Sequence, residues 1–335
     1  MGPAPSLTFS SDEEPGWRRQ RRGTGFSYAD QKGDRPDSSD LARIRALAIP
    51  PAWRDVWICR DACGHIQATG RDEKGRKQYR YHADWTQHRS ATKFDTLSAF
   101  AKVLPGLREQ VERDLRRRTL GYERVVASVV WLLDNSLNRI GNPAYARENK
   151  SFGLTTLRRR HVDITGATLH FRFTGKSGKQ WRLQLADRRI ANILKSLQDM
   201  PGQHLFKYED EGRHCPITSR DVNDYLAAFA GPEFTAKHFR TWAGTVRAFG
   251  LLADTEVPDT RSGKARTLNT VIDEVAARLG NTRAVCRSCY VHPAITEKWE
   301  AGALHRSGRL KPIDGMDEDE VETAAFLRKL SLAGG

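Results

Sequence analysis

Long apolar runs are missing from this sequence. No stretch reaches the roughly 20 residues that a membrane-spanning helix needs, and nothing reads as a secretory leader, so a cytoplasmic protein is expected. Cysteine is scarce, with five in 335 residues, an odd number. That argues against a secreted disulfide framework and fits a reducing compartment. Acidic residues are in the minority, 41 Asp and Glu against 55 Lys and Arg, which leaves a formal net charge of +14. Arginine clusters at Arg18-Arg19-Gln20-Arg21-Arg22, Arg116-Arg117-Arg118 and Arg158-Arg159-Arg160 concentrate it. Such a field favours a polyanion, nucleic acid being the commonest. Charge that serves only solubility is the alternative.

The cysteines also bear on metal. Cys59-x3-Cys63 and Cys286-x2-Cys289 can be paired on paper as a zinc site. The second pair adjoins Tyr290, however, which has another use below. Small buried thiols are the better reading, and no metal site is expected.

The length allows two domains. Pattern changes from β-prone to helix-prone near residue 88. Residues 1 to about 35 read as an irregular arm with the first arginine cluster and one short strand near Phe26–Tyr28. A short helix over Leu41–Leu47 is stopped by Ile49-Pro50-Pro51. Val56–Cys59 and His65–Thr69 make a hairpin. Beyond them Gly70–His82 alternates cations with tyrosines. In an extended strand Gln78, Arg80 and His82 share one side, and Tyr79 and Tyr81 the other. A glutamine can read adenine bidentately and cations neutralise phosphates, so this segment is a candidate DNA contact. A solvated basic loop with two core tyrosines is the alternative.

Helical periodicity follows. Phe94–Val103 and Leu107–Leu115 read as two helices broken by Pro105-Gly106, and Tyr122–Leu137 as a longer one with Val126, Val129, Val130, Leu133 and Leu137 on one face. It delivers Arg139 to a turn. Gly153–Val162 looks like a strand, and Thr168–Phe173 with Trp181–Leu185 a hairpin. Its turn carries Lys176, mobile enough to reach a neighbouring groove. Helices are expected over Arg188–Leu197, over Asp221–Phe229 with Ser219 as N-cap, over Phe234–Phe249 with Lys237, His238 and Arg240 near its start, and over Thr267–Leu279. A Gly-Asn281-Thr break then precedes a short segment, Arg283–Cys289, followed by Tyr290 and Pro293. A helix through Glu297–Glu300, an acidic segment Asp314–Glu322 and a last helical turn complete the chain. Taken singly, Arg139 is a cation at a helix C-terminus, Lys176 an exposed turn residue and Tyr290 a packing residue.

Their order says more. An arginine after a long helix, a lysine on a hairpin turn, a second arginine in Lys237-His-Phe-Arg240-Thr, and a tyrosine nine residues beyond Asn281 follow one another along the chain. This resembles the type IB DNA topoisomerases, in particular their small bacterial, poxvirus-like branch, from about Pro50 to Pro293. The most specific stretches are Gln67–His82, Arg139-Ile-Gly-Asn142 with Glu148-Asn149 and Gly153-Leu-Thr-Thr-Leu157, Phe173-Thr-Gly-Lys176, Lys237–Thr241 and Val285–Pro293.

The resemblance implies an α+β fold of the topoisomerase IB/tyrosine recombinase type. A small β-rich N-terminal domain (1–88) and a larger, mainly α-helical catalytic domain (89–335) would close as a clamp around duplex DNA. It also implies that Tyr290 attacks a backbone phosphorus, leaving a 3′-phosphotyrosyl link and a free 5′-hydroxyl. Arg139 and Arg240 would hold the non-bridging oxygens, and Lys176 would protonate the 5′-oxygen. Asn281 stands where most of the family has a histidine. Gln78, Tyr79, Arg80, Tyr81, Asn142, Tyr145 and Lys237 are the implied DNA contacts. The expected actor is a monomer in the nucleoid that relaxes both signs of supercoil by strand rotation, with no ATP, metal or other cofactor.

The chemistry is coherent. A free phenol with a pKa near 10 is only about one part in a thousand ionised at pH 7, so it needs a proton acceptor or a cationic site. Two guanidiniums supply fixed charge in planar forks against the phosphate. The 5′-alkoxide is a poor leaving group, and a lysine among arginines can protonate it. An asparagine at 281 can only donate through its amide, so it is expected to bind a non-bridging oxygen and leave proton removal from Tyr290 to water or phosphate. Two rivals stand. Tyrosine recombinases usually show His-x-x-Arg where this chain has Lys237-His-Phe-Arg240. A non-catalytic DNA-binding protein would have little need of Tyr290 and all three cations.

Overall fold

The computed structural model describes residues 7–73, 75–86 and 94–333. The chain divides into two compact units, 1–93 and 94–335. The expected boundary at 88/89 lies outside the described residues.

In the first unit, β1 (Gly16–Arg22), β2 (Gly25–Ala29), β3 (Arg54–Cys59), β4 (Ile66–Arg71) and β5 (Lys77–Tyr81) form one antiparallel sheet in the order β2-β1-β3-β4-β5, accompanied by α1 (Ser38–Ala46). Its small core is Trp17, Ile44, Val56, Ile58 and Ala68. The arginine cluster expected in an irregular arm is strand β1. Arg19 accounts for that: its guanidinium donates to the carbonyls of Pro50 (3.1 Å) and Trp53 (2.6 Å) and lies 4.2 Å from the Phe26 ring centroid. Those partners are remote in sequence, so strand propensity alone does not reveal the pairing.

The second unit is mostly helical. Its helices are α2 (Leu97–Leu115), α3 (Tyr122–Ser136), α4 (Pro143–Glu148), α5 (Arg188–Asp199), α6 (Ser219–Phe229), α7 (Ala236–Ala253), α8 (Arg261–Leu279), α9 (Arg283–Cys289), α10 (Pro293–Glu300) and α11 (Glu318–Ala333). A three-stranded sheet joins β6 (Val162–Thr165), β7 (Thr168–Thr174) and β8 (Gln180–Ala186), and a hairpin joins β9 (Lys207–Asp210) to β10 (Arg213–Pro216).

Three expectations change here. α2 runs unbroken through Pro105. Its face of Leu97, Phe100, Leu104, Leu107, Val111 and Leu115 is buried, and that burial outweighs the roughly 3 kcal/mol an interior proline costs. The segment after Gly153 is not a strand but two 3-10 turns, Leu154–Thr156 and Arg159–His161. Thr218, not Ser219, caps α6, in a reciprocal box with Asp221. Part of the acidic segment Asp314–Glu322, whose role the sequence leaves open, begins α11. Glu320 there is buried, accepting from Trp242 Nε1 at 2.8 Å and pairing with Arg108 at 2.7 Å. Arg108 also pairs with Asp134 on α3, which ties α11 to the helices around it.

Candidate active site

Two helix ends and one buried arginine set the geometry. α3 stops at Leu137, in the left-handed region at φ 55°, and α8 stops at Gly280, at φ 63°. Arg240, on the second turn of α7, is 3% exposed. Its guanidinium donates to the carbonyl oxygen of Leu137 and, at 2.7 Å, to that of Leu279. Helix-terminal carbonyls lack intrahelical partners and carry the negative end of the helix dipole. They take up two of the N–H groups of a buried cation that would otherwise be very costly, and they pin three helices at one point.

Arg139 lies two residues beyond Leu137. Its turn is held by the segment expected as a strand: Leu154 N donates to Arg139 O (2.9 Å) and Thr155 N to Ile140 O (2.7 Å). A Cβ at Gly153 would lie 2.6 Å from Arg139 O, so no larger residue fits there. The guanidinium of Arg139 donates to Asn281 Oδ1. A guanidinium has only donors, so Asn281 must turn its oxygen toward Arg139. Its Nδ2 is then left buried with no hydrogen-bond partner among the described residues.

Tyr290 is half-buried at the C-terminus of α9, its N donating to Cys286 O at 2.9 Å. α7 comes close beside it: a Cβ at Gly244 would lie 2.5 Å from Tyr290 O, and Thr245 Oγ1 donates to that carbonyl at 3.3 Å. The same hydroxyl accepts from His292 N at 3.2 Å and so fixes the backbone that follows the tyrosine side chain. Arg240 Cζ is 5.0 Å from the Tyr290 ring centroid. Burial raises the phenol's pKa, but the charge and hydrogen bonding of Arg240, then the charges of Arg139 and Lys237, outweigh it and hold the pKa below the usual 10. Burial also pushes the Cys286 thiol up to about 11, so this cysteine is a packed neutral group beneath the tyrosine.

Thus Arg139, Arg240, Asn281 and Tyr290 come together, with Lys237 exposed nearby on the first turn of α7. Lys176 does not join them directly. It begins the β7–β8 turn, which needs φ 64° at Ser177 and 75° at Gly178. Its side chain is exposed.

Of the other candidates, Tyr79 and Tyr81 are 42% and 45% exposed, which rules out the core-tyrosine alternative. Their rings stack at 5.9 Å and 13°, with Lys77 Nζ 5.6 Å from the Tyr79 centroid. Gln78 and Arg80 lie on the opposite side of β5, as alternation requires, donating to Asp72 Oδ2 and to Ala48 O, each at 2.9 Å. Asn142 caps α4 through its oxygen, which accepts from Ala144 N (2.9 Å) and Tyr145 N (3.3 Å), while Tyr145 itself is 41% exposed. Cys59 and Cys286 are buried, Cys63 is exposed and Cys215 and Cys289 lie between. Among the described residues no three His, Cys, Asp or Glu side chains are grouped to hold a metal, and no helix is long and apolar enough to cross a membrane. Sequence reasoning missed Thr245, the Leu137 and Leu279 carbonyls, and Trp181 (below). A backbone carbonyl leaves no signature in side-chain order, and Thr245 and Trp181 look like ordinary helix and strand residues.

Comparison with known proteins bears on this geometry. A family model described as the eukaryotic DNA topoisomerase I catalytic core matches residues 82–308, and one described as the bacterial DNA topoisomerase IB N-terminal domain matches residues 25–72. The chain is 33% identical to a DNA topoisomerase 1B of Acanthamoeba polyphaga mimivirus over 82% of this chain and 84% of that protein. It is also similar to a DNA topoisomerase 1 of Mycosarcoma maydis, at 28% over 53% of this chain and 18% of that protein, and to the Monkeypox virus DNA topoisomerase I, at 20% over 82% and 87%. Family models that span most of both units, and a relative this similar along most of its length, agree with the order of the clustered side chains: the chain belongs to the type IB DNA topoisomerase family of isomerases.

Proposed function

We propose that the protein relaxes supercoiled duplex DNA by transient cleavage of one strand. Tyr290 attacks a backbone phosphorus; the Tyr290 O–P bond forms as its proton passes to water or phosphate, the P–O5′ bond breaks, and the 5′-oxygen takes a proton from Lys176. Arg139, Arg240 and the Nδ2 of Asn281 hold the non-bridging oxygens, where charge grows in the transition state. The free 5′ end rotates about the intact strand, and its hydroxyl then attacks the phosphotyrosine to reseal the backbone. Bond energy is conserved in the link, so this reading needs neither ATP nor metal. The observation that carries it is the convergence on Tyr290 of two guanidiniums from opposite parts of the chain, with a buried amide N–H group still without a partner beside them. The domain division near residue 88, a monomer as the acting form, and DNA contacts by Gln78, Tyr79, Arg80, Tyr81, Asn142, Tyr145 and Lys237 belong to the same proposal. Much of the affinity should come from phosphate contacts and weaken steeply with salt.

The test is incubation with supercoiled plasmid in EDTA without ATP. Relaxation of both positive and negative supercoils is expected, together with a covalent protein–DNA adduct at the 3′ side of the break. Both should disappear in Tyr290→Phe while DNA binding persists. Recombination between defined sites, or binding with no change in linking number, would overturn the proposal. At Asn281, substitution by His should preserve or raise the cleavage rate. Abolished cleavage in a folded Asn281→His protein would show that position 281 does not act as a phosphate donor.

A further inference from the structure

Lys176 and Asn281 sit on different turns, and one indole spans the space between those turns. Trp181 is on β8, opposite Phe173 on β7, and the two rings stack at 6.3 Å and 11°. Its pyrrole edge lies against Gly175, the residue before Lys176: a Cβ at 175 would be 2.6 Å from both Cδ1 and Nε1. Its benzo edge lies against Gly280, the residue before Asn281, where a Cβ would collide with Cζ2 and come within 2.8 Å of Cη2. Both glycines are bare where the ring passes, and Gly280 also needs its φ of 63°. Gly175 is buried, and its N donates to Lys179 O at 2.7 Å, closing the turn on which Lys176 stands. The strand before it is fixed by Phe152 N donating to Thr174 O at 2.8 Å.

We propose that Trp181 is a positioning residue for the leaving-group proton transfer: by packing on Gly175 and Gly280 together, it sets the Lys176 turn relative to the Asn281 turn and hence to the scissile phosphate. This rests on the reading of Lys176 as the general acid. The lysine side chain is exposed on the turn, so its approach to the 5′-oxygen depends on where the turn is held. A long, rotatable side chain on a loose turn spends little time in the geometry that proton transfer requires.

The experiment uses the full chain and a duplex containing a cleavage site mapped with the wild-type protein. That duplex is made in two forms, with the bridging 5′-oxygen at the site retained or replaced by sulfur. A thiolate, whose conjugate acid ionises near pH 8–9, leaves without needing a proton. Single-turnover cleavage is measured on both. Trp181→Ala should lose about tenfold or more on the oxygen substrate, a part of the 10²–10⁴ that general acid catalysis supplies, and stay within about twofold of wild type on the sulfur substrate. Gly175→Ala, a smaller change that pushes the indole away from the turn, should give the same pattern and serves as the second variant if Trp181→Ala does not fold. Equal loss on both substrates, or no loss on either, overturns the proposal. Lys176→Ala is run alongside. If it too is slowed equally on both substrates, the general-acid reading of Lys176 fails; if sulfur rescues Lys176→Ala but not the Trp181 and Gly175 variants, only the positioning role fails.

Discussion

The Tyr290 pocket and the outer face of β5 both present phenols, and they differ in everything around the ring. Tyr290 is half-buried beside Arg240, with Arg139 and Lys237 close enough to lower its pKa against the effect of burial. Tyr79 and Tyr81 are exposed, stack on one another and carry a lysine over one ring. The first environment changes the chemistry of the hydroxyl; the second presents flat aromatic surface. The cations differ in the same way. Arg240 is fixed by two helix-end carbonyls, whereas Lys77 is an exposed strand cation that pairs with Asp12 at 2.7 Å.

Substitutions that exchange these properties should separate the two regions. The largest effect after loss of Tyr290 itself is expected at Arg240. Arg240→Ala should lower single-turnover cleavage by about 10²–10³-fold and lower stability by about 1–3 kcal/mol, because two buried carbonyls lose their donor. Arg139→Ala should slow cleavage similarly with little change in Tm, since its partner Asn281 lies at a turn rather than under three helices. Equal Tm losses would mean that Arg240 does not pin the helix ends.

On the β5 face the pattern should reverse. The double variant Tyr79→Ala, Tyr81→Ala should weaken duplex binding by about tenfold, with the cleavage rate at saturating protein and the Tm unchanged, as measured by equilibrium binding, single-turnover cleavage and calorimetry. A slower chemical step at saturation would place these tyrosines in the active-site machinery. The smallest effect is a matter of pH. The ionised fraction of Tyr290 rises with pH, and its pKa is lowered from the usual 10, so the cleavage rate should climb with pH with a midpoint below that value. Removing Arg139 removes a cation that favours the phenolate, so the midpoint in Arg139→Ala should move upward. A midpoint unmoved in that variant would mean that the rate does not report ionisation of Tyr290.

Much of this was legible before any coordinates. The 3.6-residue period announced α3 and α7, the period of two announced β7 and β8, and side chains of the right types came in a telling order. What was not legible depended on distant partners. Pro105 marks a helix break by local rules, yet α2 passes through it because its apolar face is buried on both sides of the proline. Leu154–Thr156 looks β-prone, but its N–H groups go to the carbonyls of Arg139 and Ile140 instead of to a strand. Glu320 sits in an acidic run whose role the sequence leaves open, and its meeting with Arg108 and Trp242 is what gives it a buried one.

By itself the sequence determined which groups were available and in what order: a tyrosine, two arginines and a lysine whose types suit phosphoryl transfer, and an asparagine that can donate but not titrate. It also determined the basic charge that draws such a chain toward a polyanion. Only the tertiary structure decided which of these groups meet. The Leu137 and Leu279 carbonyls hold Arg240, the direction of Asn281 follows from the guanidinium it faces, and Trp181 spans the two turns. Each depends on backbone atoms or ring edges brought together from far apart in the chain, and the order of side chains along a sequence does not encode such contacts.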